Sequence, residues 1–531
     1  MEIELNSEGR KIQIEFSDFI AQCAKYFSRY DFLRDSETAL REMKESIVRP
    51  FNVAVFGRMK TGKSTLINAL IGKPLAITGV NEATATINVI SYASTADLLG
   101  KFTVYWKDSS PQSFPLECLQ SQWAGKSDDV LDRVKRTKFL QLYSDSKILG
   151  LHEIIDTPGT GSVAQEHEDV AQKFISASED EGRKADALIY VFPPVGRESD
   201  EASLQSFREG RLENSTPYNS VAVMHKWDEI LYSEGSMDGI NQKAQRIYET
   251  MKDMVATVIP VSGPLALAAE IASGETFGEL VKLCEVGFEK IKPFLGRDEK
   301  WDKDATRQRI RKEFGIPWAS FRLLVKTVAE GGFDEKEARH RILELSGIEK
   351  LRNFIDKNFF KRAAIIRQNQ ILAKVESIKR KSDEISEEKT AKTESDLEYF
   401  EELQQMQMPP NIKEWIHKNV AEKRTFLLSL SKDAVEFGHF FANSKIKKAI
   451  DDYNAIEWIA NNNILTPEYL KIAKKILTHM DGSDALGIPS RIEVSNILGA
   501  LATIPLRISN RKVLEYIRQR ITTYQSNYFS K

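Results

Sequence analysis

FNVAVFGRMKTGKSTLINALIG, residues 51–72, decides the fold. FNVAVF is short, apolar and β-rich, so it reads as a strand. The residues after Lys63 read as an amphipathic helix. Between them, Gly57, Gly62, Lys63 and Ser64 satisfy G-x-x-x-x-G-K-[ST]. The spacing has a physical basis. Glycines let the backbone curl so that successive N–H groups point at phosphate oxygens. The helix N-terminus adds the positive end of its dipole. Gly57, Arg58, Met59, Lys60, Thr61, Gly62, Lys63, Ser64 and Thr65 therefore form the expected phosphate cradle. Lys63 is expected on the β- and γ-phosphates, and the Ser64 hydroxyl on Mg²⁺.

Outward from this stretch, seven more segments are strand-like: TINVIS, KFTVYWKD, KFLQLYSD, LHEIIDTPG, DALIYVF, NSVAVMHKWD and TVIPVSG. Helix-like segments separate many of them. Such alternation implies an α/β domain with a mostly parallel sheet and right-handed crossovers, here over residues 50–263. Residues 1–49 form the expected N-terminal helical part: residues 7–30 carry apolar positions at helical spacing, and a second helix is expected from Asp35 or Ser36 to before Pro50. After Pro264 the strand signal stops, and apolar residues recur every three or four positions to the C-terminus. The expected division of this part is 264–375 and 376–531, with Pro409 and Pro410 breaking a long helix.

IIDTPGTGS places Asp156 and Gly159 at the end of an apolar strand. A carboxylate there can hold Mg²⁺, and the Gly159 N–H can sense a γ-phosphate. Between this motif and the phosphate loop lies LAITGVNEATATINVI, where a threonine could complete the metal shell. Thr84 is the first choice and Thr86 the second. MHKWD supplies Lys226 and Asp228 after another strand. A carboxylate at Asp228 can accept from a guanine's N1–H and N2 amino group, whereas adenine would leave it unpaired. Lys226 would lie along the base. The motif ordinarily starts with Asn or Thr, and here it starts with His225, which keeps ATP open as an alternative to GTP. PVSG brings Ser262 to the place of a loop against the base edge.

The chain has 531 residues, 41% of them apolar, and a net charge of −2 from 75 basic and 77 acidic residues. That balance argues against nucleic acid as a partner. Three dispersed cysteines form no C-x-x-C pair, as expected of thiols in a reducing compartment. The N-terminal residues do not read as a signal peptide, and no apolar run reaches 18 residues. The expectation is a cytoplasmic protein, with NILGALATIPL (496–506) as the best candidate for touching a membrane surface.

These motifs, in this order, resemble the dynamin-like GTPases, and within them the bacterial branch, with the labile-enterotoxin-output type as the expected member. The resemblance covers the head by sequence and the helical remainder by architecture. It implies GTP/GDP and Mg²⁺ as ligands, GTP hydrolysis, and a homodimer across the nucleotide faces of the head. It implies a neck built from residues 10–48, 264–375 and 508–524, coupling nucleotide state to a helical stalk. It also allows a co-encoded dynamin-like hetero-partner and peripheral contact with the inner membrane. Relatives in eukaryotes carry Gln and Ser where this chain has Met59 and Lys60, and the Gln of small GTPases is replaced by Thr160. Lys60 stands where guanylate-binding relatives place a catalytic Arg. Lys60 is therefore the expected stabiliser of transition-state charge, with Arg58 as the alternative and Thr84 as its catalytic companion. A scaffold that binds nucleotide with negligible hydrolysis is the competing expectation.

Overall fold

The structure is a computed structural model. It describes residues 7–46, 50–58, 60–77, 86–123, 127–150, 152–157, 185–194, 219–231, 236–252, 254–444, 447–448, 451–452, 455–456, 458–459, 465–478, 490–504 and 511–529. The chain divides into two compact units, one formed by residues 1–3 and 49–367, the other by 4–48 and 368–531.

The first unit is built on a nine-stranded sheet. Its strands are β1 (Phe51–Phe56), β2 (Asn88–Tyr92), β3 (Lys101–Trp106), β4 (Gln112–Pro115), β5 (Thr137–Ser144), β6 (His152–Asp156), β7 (Ala187–Phe192), β8 (Ser220–His225) and β9 (Val258–Val261). Their spatial order is β4-β3-β5-β2-β6-β1-β7-β8-β9. The half from β6 to β9 is parallel throughout. On the other side β2 runs antiparallel to β6, and β3 antiparallel to both β4 and β5. All eight strand-like segments of the sequence are strands. The added one, β4, is a four-residue edge segment, QSFP, with only one partly buried side chain. It lacks the apolar run or alternation that announces a strand.

Helices bury both faces of the parallel half. In β1, Phe51, Val53 and Val55 enter one core while Ala54 and Phe56 enter the other. Tyr190 and Phe192 of β7 follow Phe56, and Ile189 and Val191 follow Val55. Successive side chains of a strand point to opposite faces, so a strand covered on both sides is apolar at most positions rather than at alternate ones. That is why FNVAVF, ALIYVF and SVAVMH read as continuous runs.

The helices after β9 belong to this unit up to Arg367. Phe321, Leu324, Val325 and Val328 of the helix Trp318–Gly331 enter one core. Leu351 and Ile355 of Ile348–Asn358 enter the other, with Leu66, Ile67 and Leu70 of the helix Lys63–Ile71. Amphipathic spacing in 264–358 announces one buried face per helix, and the face lies on the sheet.

The second unit is helical. Phe16, Phe19, Ile20, Cys23 and Phe27 of Ser7–Phe27 form a core with Leu33, Leu40, Ile371, Leu372, Val375, Phe437 and Phe441. Tyr26 stacks on Phe437 with ring centroids 4.0 Å apart. Of the described large apolar residues in the candidate membrane segment, Ile497 and Leu501 are fully buried in the helix Arg491–Ala502, while Leu498 and Ile504 are partly buried. Residues 505 and 506 lie outside the described residues. Among the described residues no helix is long and apolar enough to cross a membrane.

Candidate functional site

The motifs meet at the carboxyl ends of β1, β6, β8 and β9, where open parallel sheets place their ligands. The loop after β1 passes over β7. A Cβ on Gly57 would come within 2.2 Å of the Val191 carbonyl oxygen, so only glycine fits there. Lys63 starts the following helix and is buried. Its ammonium donates to the carbonyls of Gly57 (3.0 Å) and Arg58 (3.2 Å), which closes the loop on itself. Burial lowers the Lys63 pKa, and Asp156 opposes that shift. The Thr61 hydroxyl donates to Arg58 O at 2.9 Å. Thr65 follows in the helix, its methyl beside Gly263.

Ser64 Oγ donates to Asp156 Oδ2 at 2.8 Å. Asp156 is fully buried at the end of β6, and among the described residues its Oδ1 has no hydrogen-bond partner. Burial pushes its pKa up, against the pull of Lys63, Ser64 and Asn88. A buried, half-satisfied carboxylate beside a hydroxyl is a fitting oxygen pair for Mg²⁺. The residues therefore fit the metal that the sequence implies.

The end of β8 is fastened to the phosphate loop by two consecutive residues. His225 Nδ1 donates to Thr61 O at 2.9 Å, while Nε2 accepts from the Gly263 N–H at 3.2 Å. This fixes the neutral tautomer. The ring is fully buried, and burial lowers its pKa to about 4. It fills a slot that two glycines leave open. A Cβ on Gly62 would lie 2.5 Å from the imidazole, and one on Gly263 2.7 Å from it. Lys226, at φ +63°, donates from Nζ to Lys60 O at 3.2 Å. His225 thus fills the motif's first position with a two-ended clamp.

Asp228 is 2% exposed. Its Oδ2 accepts from Ser320 Oγ at 2.5 Å, and its Oδ1 has no hydrogen-bond partner among the described residues. Ser262 is also buried, but its hydroxyl accepts from Leu265 N at 3.4 Å and caps the helix Gly263–Ile271. Lys60 sits at φ +63° with its side chain exposed, and Arg58 is exposed too. Thr86 is buried and lies 3.4 Å from Asn88 Oδ1. Met59, Thr84, Gly159 and Thr160 lie outside the described residues.

The motif reading found neither Ser320 nor Arg352. Ser320 comes from a helix 92 residues beyond Asp228. Arg352 donates to Ala69 O and Leu70 O at the end of the phosphate-loop helix and pairs with Glu270 at 2.5 Å. Neither has a local sequence signal.

Residues 53–194 match the dynamin family. The isoniazid-induced protein IniC of Mycobacterium tuberculosis is 26% identical over 344 residues, covering 61% of this chain and 66% of that protein. Dynamin-like protein 2 of Campylobacter jejuni is 24% identical over 214 residues, covering 40% and 31%. The bacterial dynamin-like protein of Nostoc punctiforme is 27% identical over 145 residues, covering 26% and 20%. The chain spans less than two thirds of the length of each of these relatives.

Proposed function

We propose that this chain, a bacterial dynamin-like protein, binds GTP with Mg²⁺ and hydrolyses it, acting as a dimer through its head. The observation that carries the reading is the pair of buried carboxylates at the carboxyl ends of β6 and β8. Asp156 and Asp228 each hold one oxygen on a serine and, among the described residues, keep the other without a partner. Leaving such an oxygen unpaired is costly, so each favours a ligand that satisfies it.

Asp156 and Ser64 would hold Mg²⁺, which when bound neutralises charge on the phosphate oxygens. Lys63 would exchange its loop carbonyls for phosphate oxygens. The loop N–H groups and the helix start would hold the phosphates. Asp228 would accept from the two N–H groups of guanine, with Lys226 along the ring. Lys60, exposed at the mouth of the loop, is our candidate for stabilising charge that develops during hydrolysis. Thr84 is our candidate for closing the metal shell. The helical remainder would transmit the nucleotide state as neck and stalk. We place the protein in the cytoplasm, with peripheral contact at the inner membrane, and a co-encoded relative is a candidate partner.

The test is Lys63→Ala and Asp228→Asn beside the wild type, measured for GTP and ATP binding. Loss of all binding in the first and loss of guanine preference in the second support the reading. ATP bound as tightly as GTP by the wild type overturns it.

A further inference from the structure

We infer that Ser320, on the helix Trp318–Gly331, is a specificity-determining residue: it sets the orientation of the Asp228 carboxylate, and so the selection of guanine. The inference rests on the GTP-binding reading above. Three observations carry it. Ser320 is fully buried, as is Asp228 apart from 2% of its surface. The Ser320 hydroxyl donates to Asp228 Oδ2 at 2.5 Å, within the range of a charge-assisted O–H···O⁻ bond. Asp228 Oδ1 has no partner among the described residues although it is buried.

A carboxylate can rotate about its broad, two-fold terminal torsion, so an unheld Asp228 would sample many orientations. Each of its oxygens can accept two hydrogen bonds. Ser320 uses one acceptor position on Oδ2 and leaves the other, together with Oδ1. Those positions match two adjacent donors in one plane, which guanine has in N1–H and the N2 amino group. Hypoxanthine has only the first, and xanthine has a carbonyl in place of the second. The residue expected at the base edge, Ser262, is committed to capping its own helix. The base-reading carboxylate is therefore oriented from a helix that follows the last strand. Selection of the base then depends on how that helix packs. Phe321 and Leu324, beside Ser320, are fully buried in the core that also holds Trp227.

The experiment measures binding of GTP, ITP and XTP to the full chain and to Ser320→Ala, Ser320→Thr and Asp228→Asn, with thermal melting of each variant as a folding control. Ser320→Ala is expected to bind GTP about tenfold more weakly, as loss of one hydrogen bond to a charged group implies, and to lose preference for GTP over ITP. Ser320→Thr keeps the hydroxyl and restores the preference. A purely structural role would lower the melting temperature without changing the GTP-to-ITP ratio. Asp228→Asn is expected to gain XTP. If Asp228→Asn switches to XTP and Ser320→Ala keeps the wild-type GTP-to-ITP ratio, the inference is overturned and the GTP reading stands. If Asp228→Asn changes nothing, the base-reading site itself is overturned and the inference falls with it.

Discussion

The imidazole of His225 donates from Nδ1 to the carbonyl oxygen of Thr61 at 2.9 Å, joining the end of β8 to the phosphate loop. Its other nitrogen accepts from the Gly263 N–H, so one neutral ring spans two loops. Burial holds its pKa at about 4, below the ordinary 6.5. The unfolded chain therefore binds more protons than the folded chain between those values. Stability contributed by the neutral ring is full above about pH 6.5 and falls toward pH 4, by up to about 3 kcal/mol. His152, lowered to about 4 by its own burial, adds a second fall over the same window. His225→Asn is expected to be less stable than the wild type near neutral pH, with the gap narrowing toward pH 4. Urea unfolding at several pH values measures this, and a gap independent of pH would contradict it.

Gly57 and Gly100 separate close approach from backbone preference. A Cβ on Gly57 meets the Val191 carbonyl oxygen at 2.2 Å, whereas one on Gly100, at φ +77°, meets nothing within 4 Å. Gly100→Ala is expected to cost about 1–2 kcal/mol, the penalty of a left-handed conformation. Gly57→Ala adds a clash between β7 and the loop, costs more, and removes nucleotide binding. Equal unfolding energies for the two variants would contradict this.

The buried ion pair of Asp186 and Arg367 fastens the start of β7 in the first unit. Arg367 Nη2 lies 2.6 Å from Asp186 Oδ2 and also donates to Pro50 O, and the Asn52 N–H donates to the same carboxylate. Asp186→Ala is expected to destabilise the protein by about 3–5 kcal/mol, because it removes the buried carboxylate that both the Arg367 guanidinium and the Asn52 N–H bind. Asp108→Ala, which breaks the exposed pair with Arg136, is expected to change stability little. Denaturant unfolding of the two variants provides the comparison.

Asp156 ties metal binding to pH. Burial raises its pKa, so a proton competes for the carboxylate at higher pH than for a solvated one. The thermal stabilisation given by GTP with Mg²⁺ is expected to weaken as pH falls, to shrink on chelation with EDTA, and to lose its metal dependence in Asp156→Ala. A thermal shift unaffected by EDTA in the wild type would contradict the Asp156–Ser64 assignment.

Legibility in the sequence followed the range of the interactions. The phosphate loop was readable because its glycines, lysine and serine act within eight residues and sit between a strand and a helix. The parallel half of the sheet was readable because burial on both faces leaves unbroken apolar runs. The edge strand β4 was not, since one half-buried face leaves little pattern. Ser320 and Arg352 were not, because each meets a partner 92 or more residues away, and a lone serine or arginine carries no period. His225 was visible as a departure from the motif, but its clamp depends on space left by Gly62 and Gly263, which only the folded backbone shows. Helical periodicity after Pro264 gave buried faces without saying that the sheet covers them.

Turnover of GTP and ATP with Mg²⁺, followed over a wide range of protein concentration, shows whether this chain is a dimer-activated GTPase. GTP is expected to be hydrolysed in preference to ATP, at a rate per molecule that rises as heads dimerise and is lost in Lys63→Ala. GTP bound but not hydrolysed at any concentration, or ATP hydrolysed as readily as GTP, would contradict it.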